Sequence, residues 1–446
     1  MNSKTSTLKT TSIIERDIER ALAKRGKALL EAPDLAKQVA DLEPLEAYFM
    51  VKELGLESAV LILLAASEEQ LKAFVDLDCW TNDVISIDDL DAWLAPFAAI
   101  GPEPLVDAFL NLDEEIQHVF LRDNLLIFER LDKEGPMPGT GRDVPRLETP
   151  DDLFVLERAS EDERDREVDV FALVKALYAH DMQLGYRLVM TCLHEFESGS
   201  VEDAFHFRQG RLADLGFPTP SDAASLLQAP SQTPSRTGRL FSREPWGHLP
   251  AIYAKALSEG TLFANAMKRI QDEDFIAELE REWVAICNAS FVAFRETPGS
   301  VAVARSMMNF VSSTLSLGLE SLIRNHQPNK VEADADVLSS ALMFVQNWTL
   351  RDVFRAGFSH LKELQTDTRR VLEDPVFSHW ATQPDKDGDE YTQERRERAF
   401  VIGLAKARPL LCGEDAIHPK RGRPFGTLAE VHQAAAQLAE IRDNHS

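Results

Sequence analysis

Apolar residues recur three and four positions apart along most of the chain, which is the period of amphipathic helices. The pattern is clearest between residues 45 and 123, where the sequence repeats itself at an offset of 45 without a gap. "LEAYF" (45–49) lies over "LDAWL" (90–94), and "SEEQLKAFV" (67–75) over "LDEEIQHVF" (112–120). Leu71 and Val75 then match Ile116 and Phe120, while Glu68 and Glu69 match Asp113 and Glu114. Ser67 and Asp113 stand where a helix N-cap or first turn belongs, and the carboxylates around them favour a helix N-terminus. A period near 45 with two or three helices per unit is that of helical solenoids, whose units bury their apolar faces by stacking and leave a concave surface. The pattern predicts an acidic helical repeat over 41–130, with units near 45–77 and 90–123, behind a basic N-terminal tail and helix at 1–40.

Downstream the pattern is punctuated. Gly and Pro cluster between Leu131 and Pro150, a loop or linker. "DLFVLE" (152–157) is the one convincing strand candidate, followed by the solvated charge run "ASEDERDRE". Helical periodicity returns over Val168–Cys192 and again before Gly216, where Gly216 suits a left-handed cap, Phe217 can fold back on Leu212, and Pro218 prevents continuation. These segments predict a middle helical domain at 150–227. The Ser/Thr/Pro/Arg-rich stretch 228–247 predicts a flexible linker. Residues 248–446 then predict successive helices over roughly 249–272, 274–296, 299–325, 333–348, 350–373, 392–410 and 427–441. The expected fold class is all-α, with one short strand or hairpin near 152–157, N-terminal helical repeats and a C-terminal helical bundle.

Charge sharpens this picture. The net charge of −26 is uneven: residues 1–40 hold 8 Lys/Arg against 5 Asp/Glu, whereas residues 41–169 hold 10 against 33. Such a surface repels nucleic-acid phosphates and anionic lipid and favours basic protein partners or cations; the plainer alternative is a solvated face that keeps the protein soluble. The four cysteines (Cys79, Cys192, Cys287, Cys412) lie far apart in apolar helical contexts, without a CxxC, as buried reduced thiols of a cytosolic protein do. "MNSKTSTLKTTS" has no apolar signal core, and the longest apolar run, Ala59–Ala66, has 8 residues, against the ~20 needed to span a bilayer. The expectation is a cytoplasmic protein with a protein partner and no membrane partner.

Catalytic templates fail one after another. Arg208, Arg211 and Asp214, spaced by three and preceded by His206, make a candidate binding site for a phosphorylated or carboxylated small molecule. The plainer alternative is an ion-paired helix surface with Asp214 neutralising Arg211. His194-Glu195 lacks the second histidine of a zinc protease, and "DKDGDEYTQERR" (385–396) carries Glu390 and Arg396 where a calcium loop needs Gly and Glu. There is no P-loop, no GxGxxG after a strand and no GxSxG elbow. No catalytic residue, metal or cofactor is expected, and the balance leans away from an enzyme. "HPKRGRPFG" (418–426) resembles an AT-hook through Arg421, Gly422, Arg423 and Pro424. The resemblance stops at Pro424, and one copy on so acidic a body disfavours a DNA contact through 420–424. Both arginines are expected to be loop residues whose loss matters little.

"FRQGRLADLGFP", with "EDAFHF" before it and "DLDCW" (76–80) upstream, resembles an uncharacterised bacterial family known only as a domain of unknown function, a resemblance that runs through most of the chain. It implies no activity and no site residues. Residues 40–130 are also similar, in their pattern of Leu and Glu, to the superhelical N-terminal domains of magnesium-transporter cytosolic regions and flagellar motor-switch proteins. Together these features predict a protein-interaction scaffold or regulatory adaptor.

Overall fold

The computed structural model describes residues 24–445 except 82, 133, 160–165, 195–196, 230–260, 327–333, 385–391 and 416–417, with backbone only at 197–200 and 334–336. The described chain is mostly α-helical, with two small antiparallel sheets. It divides into two compact units. One comprises the residues up to Leu215 together with Thr297–Val301; the other comprises Gly216–Glu296 and the residues from Ala302 onward.

In the first unit a helix at 24–30 (α1) leads into α2 (Leu35–Ala40), α3 (Pro44–Leu54), α4 (Val60–Ala65) and α5 (Glu68–Asp78). A two-residue-per-strand hairpin, β1 (Trp80–Thr81) and β2 (Val84–Ile85), precedes α6 (Ile87–Ile100), α7 (Pro102–Leu110) and α8 (Glu114–Asn124). Shifted by 45 residues, α3, α4 and α5 fall on α6, α7 and α8. The local chemistry sets these boundaries. Pro44 and Pro102 occupy first helical turns, where no backbone N–H is missed. Ser67 and Gln70 form a reciprocal capping box, and the Gln70 amide also donates to the carbonyls of Val39 and Leu42, both at 2.8 Å. Asp113 occupies the N-cap of α8 without capping it, because its carboxylate is engaged elsewhere.

The second sheet has the order β3–β5–β4, from Leu125–Glu129, Arg146–Glu148 and Phe154–Arg158. Leu125 opposes Arg158, Glu129 opposes Phe154, and Glu148 opposes Val155. Two expectations are thereby corrected. The strand near 152–157 has two partners, and the Gly/Pro stretch at 131–150 carries β4. The run "LLIFE" follows α8 with no punctuation, so its apolar residues read equally as continuing helix. Inside this sheet Glu157 accepts from the Thr140 hydroxyl at 2.6 Å and pairs with Arg146 at 2.7 Å. Helices α9 (Val170–His180), α10 (Met182–His194) and α11 (Glu197–Asp214) complete the unit. The single periodic run seen over Val168–Cys192 breaks at Asp181, whose carboxylate caps the N–H groups of Gln183 and Leu184. Beyond α11, Gly216 takes the expected positive φ, 88°.

The second unit holds α12 (Pro220–Ala224), α13 (Leu262–Met267), α14 (Glu273–Phe294), α15 (Val301–His326), α16 (Asp334–Asn347), α17 (Leu350–Val371), α18 (Pro375–Ala381), α19 (Gln393–Ala405) and α20 (Leu428–His445). The sequence pattern missed α18, a short helix capped by Asp374, started by Pro375 and held by buried Phe377 and Trp380. The proposed linker at 228–247 and the calcium-like loop fall largely outside the described residues. The core centres on the rings of Phe294, Phe310, Phe354 and Phe358. Beside them α15 and α17 cross at two glycines: a Cβ on Gly318 would lie 1.9 Å from the Val353 carbonyl oxygen, and one on Gly357 2.0 Å from that of Thr314.

Candidate functional site

Arg208 and Arg211 lie one turn apart on α11, and both reach inward. Arg211 grips Asp76 of α5 with two hydrogen bonds, Nε to Oδ2 at 2.6 Å and Nη2 to Oδ1 at 2.9 Å. Its remaining nitrogen, Nη1, meets the Asp113 carboxylate at 2.7 Å. Asp113 is also held by Lys72 at 3.1 Å, and Lys72 by Glu68 at 2.7 Å. Arg208 stacks over the Trp80 ring at 5.1 Å and donates to the Asp76 carbonyl oxygen at 2.9 Å. The result is a chain of alternating charge, Glu68–Lys72–Asp113–Arg211–Asp76, that joins α5, α8 and α11.

Electrostatics follow from the burial. Asp76 is completely enclosed, at 0% exposure; burial pushes its carboxyl up, and the Arg211 guanidinium draws it back. Burial works against the charge on Arg211, but Asp76 and Asp113 outweigh it and hold that group firmly protonated. Arg208 is pushed down to about 10 by burial and by its neighbour Arg211, against the pull of Asp76. Of the four residues singled out in sequence, the structure therefore brings two together. Asp214 is exposed rather than paired with Arg211, and His206 is exposed, 4.0 Å from Glu202. Arg211 is committed to two carboxylates, and Arg208 to a backbone carbonyl and an indole ring. Sequence reasoning missed Asp76 and Asp113; the readable signal was a carboxylate inside the apolar run "AFVDL".

A second buried junction lies nearby. Asp78 accepts from the Tyr48 hydroxyl at 2.9 Å, Trp93 Nε1 at 2.9 Å and Lys52 at 2.8 Å. Tyr48 and Trp93, 45 residues apart in sequence, stack with centroids 6.2 Å apart. Burial and the Asp78 charge push the Tyr48 phenol well above its usual range. Asp91 accepts the backbone N–H groups of Glu167 and Val168 at 2.8 and 3.3 Å, fastening the segment after the sheet to α6.

The surface of this unit is lopsided. Each of the eight described Lys/Arg residues between 41 and 169 bonds inside the unit. Lys52, Lys72, Arg130, Arg146, Arg158 and Arg166 pair with carboxylates; Arg122 donates to the Cys192 carbonyl and Arg142 to Thr140. Glu57, Glu69, Asp83, Asp89, Glu103 and Asp107 remain exposed on the outside. Several sit in the first turns of helices, where the helix dipole favours them.

In the second unit Arg423 is no free loop arginine. It binds Glu414 through two nitrogens, at 2.7 and 2.9 Å, and Glu430 at 2.9 Å. Its backbone forms an antiparallel bridge with Leu411, and a Cβ on Gly422 would meet Cys412 Sγ at 2.6 Å. The expectation that Arg421 and Arg423 are equally dispensable is corrected: Arg421 is exposed, while Arg423 ties the loop to α20. Arg423→Ala should cost about 1 kcal/mol, limited by its partial exposure to solvent, and Arg421→Ala less than about 0.5 kcal/mol, read by urea unfolding. Neither variant nor the parent should shift an A/T-rich duplex in a gel at about 150 mM salt.

Ser321 and His360 join α15 to α17 at 2.9 Å. Burial lowers the His360 pKa from the ordinary 6.5; Glu363 on the same helix opposes this, and His432 of α20 and Arg324 of α15 add to it. Glu320 of α15 faces the same corner, accepting the Leu428 N–H at 2.8 Å. The folded state then binds this proton less readily than the unfolded chain. The stability it lends is intact above pH about 6.5 and is lost as pH falls below that value. His360→Gln should flatten that part of the pH–stability curve, measured by urea unfolding between pH 5 and 8.

Among the described residues no group of His, Cys, Asp and Glu has the arrangement of a metal site, and no helix is long and apolar enough to cross a membrane. A family of unknown function (DUF6178) matches residues 7–445. The chain belongs to that family. No curated protein and no solved structure matches it, and the likeness to magnesium-transporter and motor-switch domains is not shown. The two stretches that suggested the DUF6178 resemblance, 76–80 and 202–218, supply Asp76, Trp80, Arg208 and Arg211, which meet in the buried cluster.

Proposed function

We propose that this DUF6178 protein is a cytoplasmic interaction scaffold or adaptor whose first unit offers an acidic docking surface to a basic partner. One observation carries the reading: the described cations of residues 41–169 are engaged internally, while carboxylates stand exposed without a described cation beside them. A surface of this kind steers oppositely charged partners and discourages nucleic acid and anionic lipid. We read α3–α5 and α6–α8 as two copies of one repeat. The common offset of 45 supports this, as does the placement of Tyr48 and Trp93 on the same carboxylate.

The full chain, immobilised and exposed to native cell extract, should retain a partner at low salt and release much of it when salt rises several-fold, because exposed charges are screened beyond about 10 Å at 0.1 M. Changing Glu57, Asp89, Glu103 and Asp107 to Gln or Asn should weaken that capture with only a small fall in melting temperature, from the helix-start charges of Asp89 and Glu103. Capture insensitive both to salt and to these substitutions would sink the proposal.

A further inference from the structure

Several of the large apolar residues exposed in the first unit lie towards one end of the three-stranded sheet. Leu131 is 86% exposed, Met182 51% and Leu153 39%. The Arg130 N–H donates to the Leu153 carbonyl at 2.8 Å, which sets Leu131 beside the 151–153 turn. Phe154, next in sequence, lies 5.8 Å from the ring of exposed Tyr186, and Met182 precedes Tyr186 by one turn of α10. Around this strip Glu129, Asp132, Glu134, Asp152 and Asp181 are exposed. Of the described cations beside it, Arg130 pairs with Glu148 and Arg187 lies 3.9 Å from Glu114.

An apolar patch with a polar rim marks an interaction site, and here the five exposed carboxylates give the described part of the rim a negative excess. We infer that this strip receives a cationic amphipathic segment of a partner protein, apolar side chains against Leu131, Leu153, Met182 and Tyr186, and Lys or Arg on the rim. The inference rests on the acidic-docking reading and gives it a place and a partner chemistry. A second copy of the chain would set like charge against like, and an anionic bilayer would be repelled.

The test uses the full chain and two labelled Lys/Leu peptides of about 18 residues, one with its leucines on a single helical face, the other with the same composition scattered. At about 150 mM salt the one-faced peptide should bind about tenfold more tightly by fluorescence anisotropy. Leu131→Ser with Met182→Ser should abolish that preference while the melting temperature and the weaker, salt-sensitive binding of both peptides persist. Equal binding of the two peptides by the parent, or an unchanged preference in the double variant, overturns the inference and leaves acidic docking standing. No binding of either peptide at low salt removes both. If the substitutions instead dissociate a dimer seen by sedimentation, the strip is an interface between copies and the inference is overturned.

Discussion

Gly357→Val should destabilise the second unit by about 3 kcal/mol or more, enough to leave little of it folded. The β-carbon would lie 2.0 Å from the Thr314 carbonyl oxygen and 2.7 Å from the Gly318 nitrogen, both backbone atoms of the facing helix. No side chain can swing away to make room, so α15 and α17 must separate, and the stacked rings of Phe354 and Phe358 on α17 move with them. Alanine there should also destabilise, although helix propensity alone favours it over glycine by about 1 kcal/mol. Gly210 on α11 is the contrast: a β-carbon there meets nothing within 4 Å, so Gly210→Ala should be neutral or mildly stabilising. Urea unfolding of the three variants separates the cases. A Gly357→Val protein as stable as the parent would show that the helices do not cross this closely.

Arg211→Ala should cost about 3–5 kcal/mol, because it leaves the fully enclosed Asp76 carboxylate without its two-pronged cation and Asp113 with Lys72 alone. Lysine should restore only part, since one ammonium cannot grip Asp76 through two parallel bonds and reach Asp113 as well. Removing both charges, with Arg211→Met and Asp76→Asn together, should cost less than Arg211→Ala alone, because no uncompensated buried charge remains. Asp214→Asn should change little, being exposed. The order of the four in urea midpoint is the measurement. A large loss at Asp214 and a small one at Arg211 would restore the pairing that sequence spacing suggested.

That reversal shows what spacing can and cannot convey. The three-residue interval correctly placed Arg208 and Arg211 on one helix face, but the partner was chosen by tertiary contact, 135 residues away. Three of the long C-terminal helices, α14, α17 and α19, carry their own start signals: Asp272, Thr349 and Thr392 all cap in the structure. The strands were harder. β1 and β2 have two residues each, too few for alternation to register, and β3 joins directly onto α8. Gly318 and Gly357 were invisible as a pair, since a close crossing leaves no periodic trace in either helix. Arg423 looked like a loop cation because its two carboxylates, Glu414 and Glu430, lie on either side of it at distances that spacing rules do not weigh.

The four cysteines turn this architecture into a clock. Cys79 and Cys192 belong to the first unit, Cys287 and Cys412 to the second, and all four are buried thiols outside any disulfide. Burial raises the thiols of Cys79, Cys287 and Cys412 above their usual range, which withholds the reactive thiolate even from a reagent that slips inside. An alkylating agent therefore reports opening rather than surface. The folded chain should stay unmodified, and each unit that opens should add its own pair of adducts, so intact mass recorded against time reads the lifetimes of the two units separately from one unlabelled, unmutated chain.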